Sequence, residues 1–360
     1  MGHFSVTGER HSRLVSGRSE TFDPQRRMPT SELQYGIHPG LRFASLLDGR
    51  GACQDLGWDD IPGWRADHGV IWLHLERDDP GVQRWLREES GIDPVVVDAL
   101  LAEEARPRVE DYDDALLIVL RGVNRHDREN PEDLVPVRLW IDRNRVISLR
   151  DKDHYLMALR EIREALIKGK GPIGPGELFA RIADRIMHHV EPVVVELEDQ
   201  VDQLADTIDV SATAQIRDRL AEYRSHAIQL RRYLAPQREA LYRLQLEDVT
   251  WLAKRDKVRI REVTDRTLRF LEDLDAIRDR TMILHEDLAA MMSERIAQTS
   301  NRLTAITAMA LPPTLIAGVY GMNLEGIPWH GEPWAFGAVC AVILLMLPLE
   351  AWLLRRLKWL

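Results

Sequence analysis

The sequence predicts an α+β cytoplasmic domain, a mixed sheet flanked by helices, that leads through a very long stalk helix into two C-terminal transmembrane helices. Three observations predict it. Strand-sized apolar segments crowd residues 41–149 and then stop. Neither Gly nor Pro occurs from 247 to 311, and Ile260, Val263, Leu274, Ile277, Leu284 and Leu288 recur there at helical spacing among many charges. Two apolar runs, 303–320 and 334–354, close the chain. Each has about 18 residues or more, long enough to cross a bilayer as a helix.

Residues 1–35 are rich in Arg, Ser, Glu and Pro with few apolar anchors, and read as a flexible leader. The α/β part spans 36–150. Segments 41–47 and 69–75 form its first strands, bounded by Gly, Pro and Asp. Short helices follow at 79–89 and 92–102, the second with Asp93 as N-cap and Pro94 in its first turn. Three more strands occupy 115–123, 135–141 and 145–149, and Asp142-Arg-Asn-Arg145 suits a tight hairpin between the last two. A helical part covers 151–246. There a helix at 155–167 precedes a Gly- and Pro-rich break at 169–176, a helix over 177–208 bends at Pro192, and a helix capped by Ser211 runs towards Leu246 with Pro236 interrupting it. The stalk helix, 247–302, passes without a break into the first span, 303–323. At 1.5 Å per residue the stretch 250–320 is roughly 100 Å long, and it needs partners along its length. A loop at 324–333, the second span at 334–354 and a basic tail at 355–360 complete the chain.

With 360 residues the chain can hold a sizeable soluble domain besides its membrane part, and its net charge of −10 argues against a general nucleic-acid binder. Cys53 and Cys340 lie far apart in different surroundings, which argues against a disulfide framework or a thiolate zinc site. The opening Met1-Gly-His-Phe-Ser-Val6 lacks the apolar core of a secretory signal, so the chain is expected to start in the cytoplasm. No nucleophile–base pair or metallohydrolase pattern occurs, and the 169–176 break lacks the Gly-Lys-Ser/Thr ending of a phosphate loop. Neither enzymatic activity nor a cofactor is expected.

The loop 324–333 contains no Lys or Arg, whereas Arg295 and Arg302 precede the first span and Arg355, Arg356 and Lys358 follow the second. This bias places both termini in the cytoplasm and the loop outside. Trp329, Trp334, Trp352 and Trp359 stand where interfacial aromatic belts belong. In the first span Ser300, Thr304, Thr307, Leu311, Thr314 and Gly318 succeed one another by steps of four, three, four, three and four, and therefore form one stripe. Hydroxyls in lipid need a helix partner or water. The spacing suits a helix–helix packing seam and a water-lined wall alike. The wall requires several copies round an axis, because two spans cannot enclose a pore. Pro312-Pro313 removes two backbone donors and frees the carbonyls of Ala308 and Met309.

Tyr320-Gly321-Met322-Asn323 closes a first span that contains Pro312-Pro-Thr-Leu-Ile-Ala-Gly318, with a short loop and a second span behind it. This arrangement resembles the CorA superfamily of divalent-cation channels and transporters. Arg106-Pro-Arg-Val-Glu110, Arg138-Leu-Trp-Ile141, Arg145-Val-Ile-Ser-Leu-Arg150, Gly326-Ile-Pro328 and Lys358-Trp-Leu360 resemble its ZntB-like, zinc-transporting branch, and the likeness runs over residues 40–360. The resemblance implies a homopentamer with a CorA-like funnel, set in a bacterial cytoplasmic membrane and in contact with its lipid. The transported divalent cation is expected to be zinc, with magnesium, cobalt and nickel as alternatives. Carried over to this chain, Gly321, Met322 and Asn323 form the outer mouth, where Asn323 presents its amide carbonyl to a hydrated ion. Thr314, Leu311, Thr307, Leu303 and Gly318 line the path. Leu303 and Leu311 are candidate constrictions, and Leu303 lies beside the stripe rather than on it. Where the family often has Pro-Leu-Thr, this chain has Pro312-Pro313-Thr314. Amide and hydroxyl oxygens hold the water shell of a hard ion without trapping it. A zinc-type member without imidazole or thiolate in the span must pass its ion largely hydrated. The reading from another class is a non-conducting, membrane-anchored helical scaffold.

In the loop, Glu325, His330 and Glu332 either draw cations towards the mouth by long-range attraction or are simply solvated. Glu350 follows Pro348 near the inner end of the second span, where a carboxylate either snorkels to the interface or takes part in proton coupling. His188-His189, His226 and His285 fit ordinary surface or interface positions, with a cytoplasmic regulatory cation site as the alternative. No set of fixed metal ligands is assigned.

Overall fold

The structure is a computed structural model that describes residues 38–103, 105–124, 133–207, 213–322, 327–329 and 332–356. The leader at 1–35 and the expected cap Ser211 lie outside the described residues. The chain divides into two compact units, one of residues 1–198 with 225–276 and the other of 199–224 with 277–360.

The first unit is built on strands β1 (Leu41–Leu47), β2 (Cys53–Leu56), β3 (Val70–Glu76), β4 (Arg108–Tyr112), β5 (Ala115–Val123), β6 (Leu134–Ile141) and β7 (Arg145–Arg150). They form one mixed sheet in the order β2-β1-β3-β7-β6-β5-β4, parallel only between β3 and β7. β5 and β6 are near-continuous apolar runs and are buried almost throughout, as strands covered on both faces must be. The Asp142 carboxylate closes the β6–β7 hairpin by accepting from the amides of Asn144 at 2.9 Å and Arg145 at 2.8 Å. Helices α1 (Pro80–Glu88) and α2 (Pro94–Leu101) start where the capping chemistry requires. Asp79 accepts from the amides of Gly81 and Val82, and Asp93 accepts from that of Val95. The edge strands β2 and β4 have no counterpart in the sequence reading. Gln54, Asp55, Arg108, Glu110 and Asp111 replace apolar alternation there, and only pairing with β1 and β5 makes these segments strands.

Arginines on β5 and β6 and one just after β3 hold the segment after α2. Arg77 donates to the carbonyl of Leu101, Arg138 to those of Ala102 and Glu103, and Arg121 to that of Ala105. Arg138 is 1% exposed, and its charge is met by Asp151, which also accepts from Arg77. Burial acts to raise the Asp151 carboxyl, but hydrogen bonds from His154 and Arg77 and the nearby Arg138 charge hold it well below the usual carboxylate range.

Four helices follow: α3 (Met157–Ile167), α4 (Pro175–Asp206), α5 (Thr213–Leu246) and α6 (Lys254–Tyr320). Contrary to the sequence reading, Pro236 does not interrupt α5. Leu234 on one side of it and Ala240 and Leu241 on the other are buried. Their packing offsets the lost hydrogen bond, a penalty of about 3 kcal/mol. α6 also starts later than the absence of Gly and Pro implies. Thr250 and Trp251 instead bind Asp114 in the β4–β5 turn, through the Thr250 amide at 2.7 Å and the indole N–H at 3.0 Å.

Glu177 ties the first turn of α4 to the first turn of α6. Its carboxylate accepts from Arg181 and Arg259, each at 2.9 Å, and from the Ile173 amide at 3.2 Å, with Arg255 at 3.6 Å. In the second unit Leu204, Ile216, Leu220 and Leu288 form an apolar cluster, and Arg280 pairs with Asp202 at 2.7 Å.

Burial pushes the Glu177 carboxyl up, but the hydrogen bonds from Arg259 and Arg181 prevail and hold it at about 2. A carboxyl depressed on folding stabilises above its unfolded value and loses that contribution as the pH falls. Glu177→Gln is therefore expected to lower stability by about 2–3 kcal/mol at neutral pH. The gap to the parent should close as the pH drops from about 4.5 towards about 2. Thermal unfolding of both full-length proteins across this range checks it, and a pH-independent gap would refute the assignment.

Candidate functional site

The upper part of α6 and α7 (Ala335–Arg356) are the two described helices long and apolar enough to cross a membrane. Both belong to the second unit, and their burial follows a pattern. On α6 the covered positions from 305 on are Ala305, Met309, Pro312, Pro313 and Ile316; on α7 they are Ala335, Ala338, Val339, Cys340, Ile343, Met346, Leu347, Glu350, Ala351 and Leu354. At about 100° per residue each set gathers on one side of its helix, a narrower face on α6 and a broader one on α7. The tips of α4 and α5 pack far lower, at Leu284 and Leu288, which leaves α6 and α7 to shade one another.

This arrangement narrows what periodicity left open. Ser300, Thr304, Thr307, Leu311, Thr314 and Gly318 are all exposed. At 3.6 residues per turn they fall on the side of α6 roughly opposite the covered face. The stripe is therefore not a packing seam with the chain's own second span. Leu303 is 66% exposed and Leu311 67%, with Leu303 at the stripe's edge. Below the span the bare side continues through Ser293, Glu286 and Met282, a continuation that helical spacing could have revealed.

The hydroxyls have a defined polarity. Thr304 donates to the Ser300 carbonyl at 2.9 Å, Thr307 to that of Leu303 at 2.9 Å and Thr314 to that of Ala310 at 2.6 Å. With each proton committed to its own helix, the hydroxyl presents acceptor lone pairs to whatever faces the stripe. α6 remains a helix through Pro312 and Pro313, so the carbonyls of Ala308 and Met309 have no amide donor four residues on.

At the C-terminal end of α6 Gly321 donates its amide to the Ala317 carbonyl at 2.9 Å, and Met322 is 45% exposed. Asn323, Glu325 and His330 lie outside the described residues. Glu332 is exposed, and its amide meets the Trp329 carbonyl at 3.2 Å. Trp329, at φ 62°, sets its ring 5.5 Å from that of Trp334. At the other end of α7 the Arg356 guanidinium lies 5.4 Å from the centre of the Trp352 ring. One carboxylate oxygen of Glu350 is buried without a hydrogen-bond partner among the described residues. His189 bonds Glu161 at 3.0 Å. Among the described residues no group of three or more His, Cys, Asp or Glu side chains is disposed to hold a metal.

Fold and site together define a class: a membrane protein with an α/β domain, a stalk helix that becomes its first span, and a second span behind it. The chain belongs to the family described as CorA-like Mg2+ transporter protein, which matches residues 67–356. Its members are transporters rather than enzymes. The chain is 33% identical over 323 residues to the zinc transport protein ZntB of Pectobacterium carotovorum, covering 90% of this chain and 97% of that protein. It is 34% identical over 328 residues to the divalent cation transporter CmaX of Pseudomonas aeruginosa, covering 90% and 98%. The structure of full-length CmaX matches with a TM-score of 0.77 at 33% identity, over 90% of this chain and 99% of that one.

Cysteines placed at Thr307 and Thr314, with Cys53 and Cys340 replaced, are expected to react with a water-soluble thiol reagent in membranes. Cysteines at Met309 and Ile316 should stay protected. Equal labelling of the two pairs would show that the stripe does not face water.

Proposed function

We propose that this protein carries a divalent metal cation, zinc in the first place, through a central path enclosed by five copies of the chain. Magnesium, cobalt and nickel are the alternative ions. One observation carries the reading: the acceptor stripe of α6 lies on the side away from α7, so it needs water or further copies of itself. The names of the related ZntB and CmaX proteins support the cargo class, with ZntB favouring zinc. In this reading Gly321, Met322 and Asn323 form the outer mouth, Thr314, Thr307 and Gly318 line the path, and Leu311 and Leu303 narrow it. Glu325, His330 and Glu332 surround the mouth and attract cations. The membrane is the bacterial cytoplasmic one, with both termini inside, as the absence of Lys and Arg from 324–333 supports. Oxygen donors of this kind hold an ion through its hydration water and release it again.

Asn323→Ala is expected to reduce zinc uptake into reconstituted vesicles by at least about tenfold, since each copy would lose its mouth oxygen. Native mass measurement should still show five chains. Unchanged uptake would sink the mouth assignment. Undiminished uptake with Trp at both Thr307 and Thr314 would sink the path and favour a scaffold. Running zinc against magnesium, with and without a pH gradient, identifies the ion and any coupling.

A further inference from the structure

Within the first unit, a cleft of about 630 Å³ opens between α3, the start of α4 and the start of α6. Ligand sites span roughly 300–1,000 Å³, so the cleft is large enough for a nucleotide. Five basic side chains line it: Lys168, Lys170, Arg181, Arg185 and Arg259. Most acids on its wall are already engaged. Glu161 meets His189 at 3.0 Å and Arg185 at 3.8 Å, Asp184 meets Arg266 at 3.1 Å, and Glu164 meets Arg160 at 2.8 Å. His189, Arg266 and Arg160 are not part of the lining. Glu262 is the wall acid without an ion pair among the described residues.

Arg181 and Arg259 share a single carboxylate, Glu177. Lys168 and Lys170 flank Gly169, which turns the chain at φ 70°; both are exposed and have no ion pair among the described residues. The lining thus sets five basic side chains against four acids, with both lysines unpaired among the described residues, in a chain of net charge −10. Ala165, half-buried over the buried Ile162 and Ala180, supplies an apolar floor.

We propose that this cleft binds an organic phosphate of nucleotide size. Lys168, Lys170 and Arg185 hold its phosphates, and its organic part rests on Ala165. Several fixed cations around one cleft favour a ligand with several adjacent negative charges, because each added charge meets another cation at little further ordering cost. Arg259 belongs to α6, the helix that continues into the first span. A ligand seated here touches that helix directly, so the site can report a cytoplasmic metabolite to the stalk. Binding itself does not depend on the transport reading.

Full-length protein in nanodiscs, dialysed to equilibrium against labelled ATP at physiological salt without divalent metal, tests this. Saturable binding is expected, weakened at least about fivefold in K168Q/K170Q and in R185Q, with unchanged elution of both variants on size exclusion. Inorganic triphosphate serves as competitor. Displacement of ATP shows that the phosphates carry recognition, and retention of ATP shows that the apolar floor contributes; either result supports the proposal. Absence of saturable ATP binding up to millimolar concentration overturns it, as does binding that both variants leave unaltered.

Discussion

One helix has to satisfy two solvents. α6 runs for 67 residues, and its backbone bonds are internal, so what decides its surroundings is the solvation of its side chains. Near its start Ile260, Val263, Thr267 and Leu274 are buried. From Ala289 to Thr304 every residue is exposed, Met291, Met292 and Ile296 among them. Higher up, only the face towards α7 is covered. In proteins most of a helix's stability comes from packing, and from Ala289 to Thr304 one chain leaves every side of α6 bare. This demand, more than any single motif, supports the proposed assembly of copies round an axis.

The polarity of the bare face narrows what it meets. Because Thr304, Thr307 and Thr314 give their protons to carbonyls one turn back, the stripe offers acceptors rather than donors. Such a surface suits a hydrated cation and is poorly matched to an anion. The opposite choice is made near the start of α6, where Arg255 and Arg259 gather round Glu177 and basic side chains line the neighbouring cleft. The same helix thus presents an anion-friendly surface at its foot and a cation-friendly one in its span.

Much of the fold was legible because local chemistry and global packing agree. Asp93 before Pro94 starts α2 as a cap should, and Asp142 closes its hairpin through its own carboxylate. The failures lie where they disagree. β2 and β4 are polar edge strands whose conformation comes from their neighbours. Pro236 breaks the local rule for a helix but sits between buried residues that keep α5 whole. The segment before α6 contains no helix breaker, yet Thr250 and Trp251 are drawn off by Asp114, which lies more than a hundred residues earlier in the chain.

By itself the sequence determined that two spans close the chain, that a stalk helix runs unbroken into the first, and that hydroxyls and small residues of that span share one stripe. These are properties of spacing and hydrophobicity, and they need no knowledge of distant contacts. Only the tertiary structure decided which side of α6 the second span covers, and so that the stripe is left bare. A helical period gives angles around an axis but does not say what stands at any of them. The cleft beside Lys168 and Arg259 is of the same kind, since its walls come from segments about ninety residues apart that only folding brings together.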